Sequence, residues 1–163
     1  MLVSGVVAGV ALGALVGRSW KPLLEANVRF LPLLLGSLVF RAVAPFADGF
    51  AYALYVLALA GTSLAAFANV ALRGAALVAV GGLLNLAVVI VNTGMPVDPA
   101  AVELAGARMP TDALHVQMVD SSVLAPLGDV IPVGIVRSVY SFGDILIAAG
   151  GFLVPFVLLS RNR

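Results

Sequence analysis

Five apolar runs divide the chain, at residues 2–17, 30–47, 50–68, 75–91 and 142–160. Each approaches the roughly 20 residues that a helix needs to cross a bilayer, and the first sits just below the usual minimum of about 17. The first run is not a signal peptide by pattern. No positive charge precedes it and no small-residue cleavage site ends it, while Arg18, Lys21 and Arg29 follow it. It reads as a retained helix. The second run carries Arg41 near its far end and stops at a turn containing Pro45, Asp48 and Gly49; the third starts at once with Phe50, so the two form a helical hairpin. A short connection with Arg73 leads to the fourth run, which Asn92-Thr93-Gly94-Met95-Pro96 terminates.

The segment between the fourth and fifth runs, residues 92–141, has a different pattern. It holds five acids (Asp98, Glu103, Asp112, Asp120, Asp129) against Arg108 and Arg137. Asp98-Pro99 has the form of an N-cap followed by proline at the first helical position, which predicts a short surface helix over 98–105. A second short helix is expected over 111–119. Apolar residues such as Val97, Val102, Leu114, Leu127 and Ile131 are too frequent for a solvated tether. The segment is therefore expected to be ordered and docked on the helix ends. Pro126, Gly128, Pro132 and Gly134 would turn it, and charge-assisted hydrogen bonds would hold Asp129 towards Asn92 or Asp144.

Composition agrees. Of the 163 residues, 62% are hydrophobic and 10% charged, with a mean hydropathy of +1.14. Seventeen charged side chains cannot cover a water-soluble core of this length without leaving large apolar patches. The expected fold is an all-α membrane protein forming a single domain, with about five transmembrane helices and a large structured outer loop between helices four and five. The absence of cysteine excludes disulfides and thiolate chemistry. No basic run interleaved with aromatics supports nucleic-acid binding.

Charge placement sets the expected orientation. With five spans, Arg18, Lys21, Arg29, Arg73, Arg161 and Arg163 fall on one side and the acid-rich loop on the other, which by the positive-inside rule puts the N-terminus outside and the C-terminus in the cytoplasm. Gly5, Gly9, Gly13 and Gly17 recur every four residues and form one small-residue face on the first helix, a device for close helix packing.

Polar groups within or beside the runs are the candidates for chemistry, since each is costly in hydrocarbon unless paired or hydrated. They are Arg41, Asn69, Asn85, Asn92 and Asp144. Asn85 and Asn92, seven apart, share a helix face and serve either interhelical hydrogen bonding or ligand binding, as does Arg41. Asp144 is either a first-turn acid favoured by the helix dipole or a titratable group poised for acid–base work. His115 is the only histidine, so a histidine-rich metal site is excluded. A mixed set with Asp112, Asp120, Asp129 or Asp144 has no spacing to recommend it. No metal is assigned and no cofactor is indicated.

Taken together, Gly82-Leu83-Leu84-Asn85, Asn92-Thr93-Gly94-Met95-Pro96-Val97, Leu114-His115, Leu127-Gly128-Asp129-Val130-Ile131-Pro132 and Ser141-Phe142-Gly143-Asp144-Ile145-Leu146-Ile147 resemble the bacterial membrane family called domain of unknown function 5317. The resemblance covers the whole chain in layout and implies a small multi-pass protein of the bacterial inner membrane, with no activity attached. Phe142-Gly143-Asp144-Ile145-Leu146-Ile147-Ala148-Ala149-Gly150, with Gly81-Gly82-Leu83-Leu84-Asn85, is also similar to motifs of lipoprotein signal peptidases, which would make Asp144 one of a catalytic aspartate pair. Where those enzymes carry the other aspartate this chain has Ala87, Val88 and Val89, so Asp129 would have to substitute from the loop.

The leading expectation is a subunit or accessory element of a larger membrane assembly, with lipid and a membrane-protein partner or a second copy around it. The alternative is an interfacial enzyme or a binder of lipid or small molecules, drawing on Asp129, Asp144 and His115.

Overall fold

Nearly uninterrupted apolar sequence gives long helices, and the residues between them supply the stops. The structure, a computed structural model, describes residues 1–161. In chain order it runs α1 (Leu2–Leu15), β1 (Arg18–Ser19), α2 (Lys21–Leu24), α3 (Leu31–Val43), α4 (Ala51–Phe67), α5 (Ala75–Asn92), β2 (Met95–Val97), α6 (Pro99–Leu104), β3 (His115–Gln117), β4 (Ile131–Val133), β5 (Ser138–Tyr140), α7 (Phe142–Leu158) and β6 (Ser160–Arg161). Three short 3-10 turns complete it, one of which extends α3 from Ala44 to Phe46. Arg163, expected in the cytoplasm, lies outside the described residues.

Helices α1, α3, α4, α5 and α7 occupy the five apolar runs. α5, with 18 residues, is the one described helix long and apolar enough to cross a membrane; the other four are shorter apolar helices. Helix length therefore does not establish five spans. The first two runs are cut back because Gly17 and Phe30 adopt positive φ, which ends one helix and precedes the other. Chain ends at this side are tied together: β1 pairs antiparallel with β6. Asn69 accepts from the Arg29 amide (2.8 Å) and donates to the Arg29 carbonyl (2.8 Å).

The long helices pack in the order α1, α7, α5, α4, α3, each chiefly on its neighbours in that row. A glycine opens every interface, which lets backbones approach closely. A Cβ at Gly5 or Gly9 would run into the carbonyls of Ala148 and Phe152 of α7, one at Gly81 into the carbonyl of Gly143, one at Gly82 into Ser63, and one at Gly61 into Ser37. The glycine stripe of α1 is thus filled by the last helix of the same chain. α1 and α3 stand at the two ends of the row and do not close on one another.

Residues 92–141 form a docked cover. Asp98 accepts from the Ala100 amide (2.9 Å) and caps α6, as its sequence predicts. The helix expected over 111–119 is instead extended: β3 pairs in parallel with β2, His115 opposite Met95 and Gln117 opposite Val97. The cause is non-local, since β2 offers a backbone edge that a helix at 111–119 would leave unpaired. β4 and β5 form an antiparallel hairpin. The all-helical expectation is corrected to a mostly helical fold with three two-stranded ladders. Met95 and Leu114, both 1% exposed, join Tyr55, Leu59, Val88 and Val89 in one apolar cluster, so the loop and the helix ends share a core.

Candidate functional site

The open side of the helix row and the docked loop enclose a cavity of about 500 Å³. Helical spacing explains its walls. Tyr55, Ala58, Leu59 and Thr62 fall on one face of α4, and Leu38, Arg41 and Ala42 on one face of α3. α1 adds Leu2 and Val3, α5 adds Gly82 and Asn85, and α7 adds Asp144 and Ile147. From the loop come Val97, Val102, Arg108, Asp112, His115, Asp129, Arg137 and Tyr140. Charged groups gather at the loop end. The wall turns apolar towards Thr62, eleven residues into α4 and so about 16 Å along its axis from the helix start.

Asp129 occupies the most unusual position. Its backbone is secured, the amide donating to Pro96 (2.8 Å) and the carbonyl accepting from Asp98 (3.0 Å). Its side chain is 9% exposed. Oδ1 is buried without a hydrogen-bond partner, and Oδ2 lies 3.8 Å from His115 Nε2. The expected charge-assisted bonds to Asn92 or Asp144 do not form. Burial, reinforced by the charge of Asp144 and opposed by that of Arg41, pushes the carboxyl up to about 8. Asp129 is therefore largely protonated at neutral pH and can donate a hydrogen bond into the cavity.

Asp144 is held. Ser141 caps α7 by accepting from the Asp144 amide (3.0 Å), and Asp144 answers by accepting from the Ser141 amide (3.5 Å), a reciprocal capping box. Asp144 Oδ1 also accepts from Asn85 (3.2 Å), and Asn85 accepts from the Ser141 hydroxyl (2.9 Å). Asp144 thus caps its helix, as the first of its two readings expects, and its side chain also lines the cavity.

Asp112 accepts from His115 Nδ1 at 2.7 Å and from the Leu114 amide at 2.9 Å. Burial opposes ionisation of Asp112, but those hydrogen bonds, with the charges of His115 and Arg41, outweigh it and hold the carboxyl below its ordinary value. Asp112, His115 and Asp129 consequently form a carboxylate–imidazole–carboxyl series along the cavity wall. Arg41 lies over the Tyr55 ring, 4.9 Å from its centre. No carboxylate among the described residues lies within 4.0 Å of Arg41, Arg108 or Arg137.

Of the residues singled out in the sequence, Arg41, Asn85, His115, Asp129 and Asp144 meet at this cavity. Asn92 does not. Its side chain donates to the carbonyls of Val88 (2.9 Å) and Val123 (2.8 Å) and accepts from the Val123 amide (2.9 Å), so it anchors the loop. Asn69 likewise joins segments at the opposite end. Tyr55, Arg108, Arg137 and Tyr140 escaped the sequence reading, because tertiary contacts alone bring them to one place. No group of three or more His, Asp or Glu among the described residues is placed to hold a metal ion.

A model of a family of unknown function, DUF5317, matches residues 22–156. No curated protein and no solved structure matches the chain. The similarity to lipoprotein signal peptidases has no support among these comparisons. Val88 and Val89, near where a second aspartate would stand, are fully buried in the apolar cluster.

Proposed function

Since the chain belongs to the family of unknown function DUF5317, whose name carries no activity, we propose from its geometry that it is a membrane protein that binds a ligand in this cavity. The carrying observation is the buried, unpartnered Oδ1 of Asp129 in the cavity wall. A buried polar atom without a partner costs about 1–3 kcal/mol, and a ligand acceptor would relieve that cost. Asp129 as donor and the hydrogen-bonded Asp144 as acceptor form an acid–base pair of differing environment, suited to fixing a polar ligand or moving a proton on it.

The membrane reading extends to five spans in the bacterial inner membrane, with the cavity outward and the C-terminus in the cytoplasm. Its support is the row of five apolar helices, their many exposed side chains such as Leu15 (83%) and Phe67 (66%), and the gathering of basic residues at the end opposite the cavity. Thiol labelling tests the arrangement on a chain that has no cysteine of its own. Ala107→Cys and Thr62→Cys should react with a small polar reagent added outside, and Arg73→Cys only with reagent from the cytoplasmic face. Failure of Thr62→Cys to react would remove the open cavity, and reversed labelling would overturn the orientation.

A role as subunit of a larger membrane assembly is the second reading. α3 rests chiefly on α4 and leaves an apolar flank uncovered. A strictly monomeric protein without companions in mild detergent would count against it.

A further inference from the structure

Three features of the cavity lie outside the acid–base pair. First, α1 and α3 both line it yet stand at opposite ends of the helix row, each packed chiefly on its one neighbour, so the side between them lacks close helix packing. Ala42, on α3 at this side, lines the cavity and is itself exposed. Second, the interior is graded. Charged groups cluster under the loop, and the limb along α4 is formed by Ala58, Leu59 and Thr62. Third, three guanidinium groups, those of Arg41, Arg108 and Arg137, line the cavity with no carboxylate partner among the described residues. Asp112 is engaged by His115 and Asp144 by Asn85.

Each feature selects ligand chemistry. Unpaired guanidinium groups around one opening match the oxygens of a phosphoryl group, which they contact through fixed donors. A stretch of largely apolar wall from Tyr55 to Thr62, about 10 Å along α4, suits the first carbons of an acyl chain. A side without close helix packing admits a molecule already dissolved in the bilayer. The β4–β5 hairpin adds a fourth feature. Its inner arm supplies Arg137 and Tyr140 to the cavity, while Ile135 at its tip is 98% exposed and Val136 beside it 56% exposed. An apolar tip next to a charged opening is the arrangement expected where a loop dips into the headgroup layer.

We propose that the cavity takes a phosphoryl-headed acyl lipid from the outer leaflet, admitted sideways between α1 and α3, with its headgroup at Arg41, Arg108 and Arg137 and a chain along the α4 face. This rests on the cavity being a ligand site and adds the class of ligand and its route. Arg41 is the central contact, since the Tyr55 ring beneath it fixes its guanidinium at the junction of the charged and apolar regions.

The full-length protein, delipidated in a neutral maltoside detergent, is titrated with three probes and bound mass is read by native mass spectrometry. Dioleoylphosphatidylglycerol carries both parts, glycerol phosphate the headgroup alone, and dioleoylglycerol the chains alone. The whole lipid should bind at least tenfold more tightly than either fragment. Arg41→Gln and Ala42→Phe should each weaken it roughly tenfold; both positions are exposed, so the fold survives, and an unchanged thermal midpoint verifies this. Glycerol phosphate binding as tightly as the lipid would overturn the lipid class while leaving the ligand-site reading in place. Equal binding of dioleoylglycerol would overturn the role of the arginines, and an unaffected Ala42→Phe would overturn sideways entry. If no probe binds although Thr62→Cys is reached from outside, the proposal fails and the open cavity stands. If Thr62→Cys is also unreactive, the underlying reading fails with it.

Discussion

Replacing Asp129 by asparagine tests the electrostatics of the cavity most directly. The native carboxyl titrates at about 8 and the ordinary one at 3.8. Between these limits the folded protein holds a proton that the unfolded chain releases, so stability present below about pH 4 is lost as pH rises through 8. The interval corresponds to roughly 6 kcal/mol as an upper figure, because each pH unit is worth about 1.4 kcal/mol and the side chain is too buried for solvent to screen it strongly. Asparagine keeps the shape and stays neutral throughout, so Asp129→Asn should abolish most of the decline from pH 5 to pH 9. The substituted protein should also be the more stable one at pH 9. Thermal unfolding of both proteins in one detergent, across that pH range, supplies the measurement. Parallel curves, or a wild-type stability that rises with pH in this window, would refute the burial argument.

Other substitutions test the packing that builds the cavity. Gly9→Leu drives a side chain into the α7 backbone at Phe152 and should cost about 3 kcal/mol or more, seen as a large fall in thermal midpoint, whereas Gly36→Ala meets open space and should be near neutral. Asn92→Ala removes the two bonds to Val123 that pin the loop to the end of α5, and should raise hydrogen exchange across residues 92–141 with little change in α1. Ser141→Ala deletes the cap of α7 and the donor to Asn85, and should lower stability by about 1–3 kcal/mol in denaturant unfolding.

The helices were legible because composition and length alone mark an apolar helix, and Gly17, Gly74 and the 92–96 turn punctuate the runs. The cap at Asp98 was legible for the same local reason. The strand at His115–Gln117 was not, since its partner β2 lies about twenty residues away and no local pattern favours one over the other. The cavity was legible in part. Rare polar groups in apolar surroundings singled out Arg41, Asn85 and Asp144, but the same criterion selected Asn69 and Asn92, which turned out to be anchors, while Asp129 was marked instead as a loop acid turned inward. Arg108, Arg137 and Tyr140 look like ordinary loop residues until the hairpin folds back over the helix ends.

The pairing of α1 with α7 bears on how the protein is made. The helix synthesised first has its glycine face matched to the helix synthesised last, and Arg18 just beyond α1 donates to the carbonyls of Phe156 and Leu159 at the end of α7. During synthesis α1 must therefore wait, its small-residue face without its partner helix, until more than 140 later residues have been made. α7 is then inserted between α1 and α5, and in the same event Asp144 arrives beside Asn85. Closure of the helix row and completion of the cavity are one late step, and a ribosome pausing before α7 would hold a chain with every other long helix made but without the wall that carries Asp144 and Ile147.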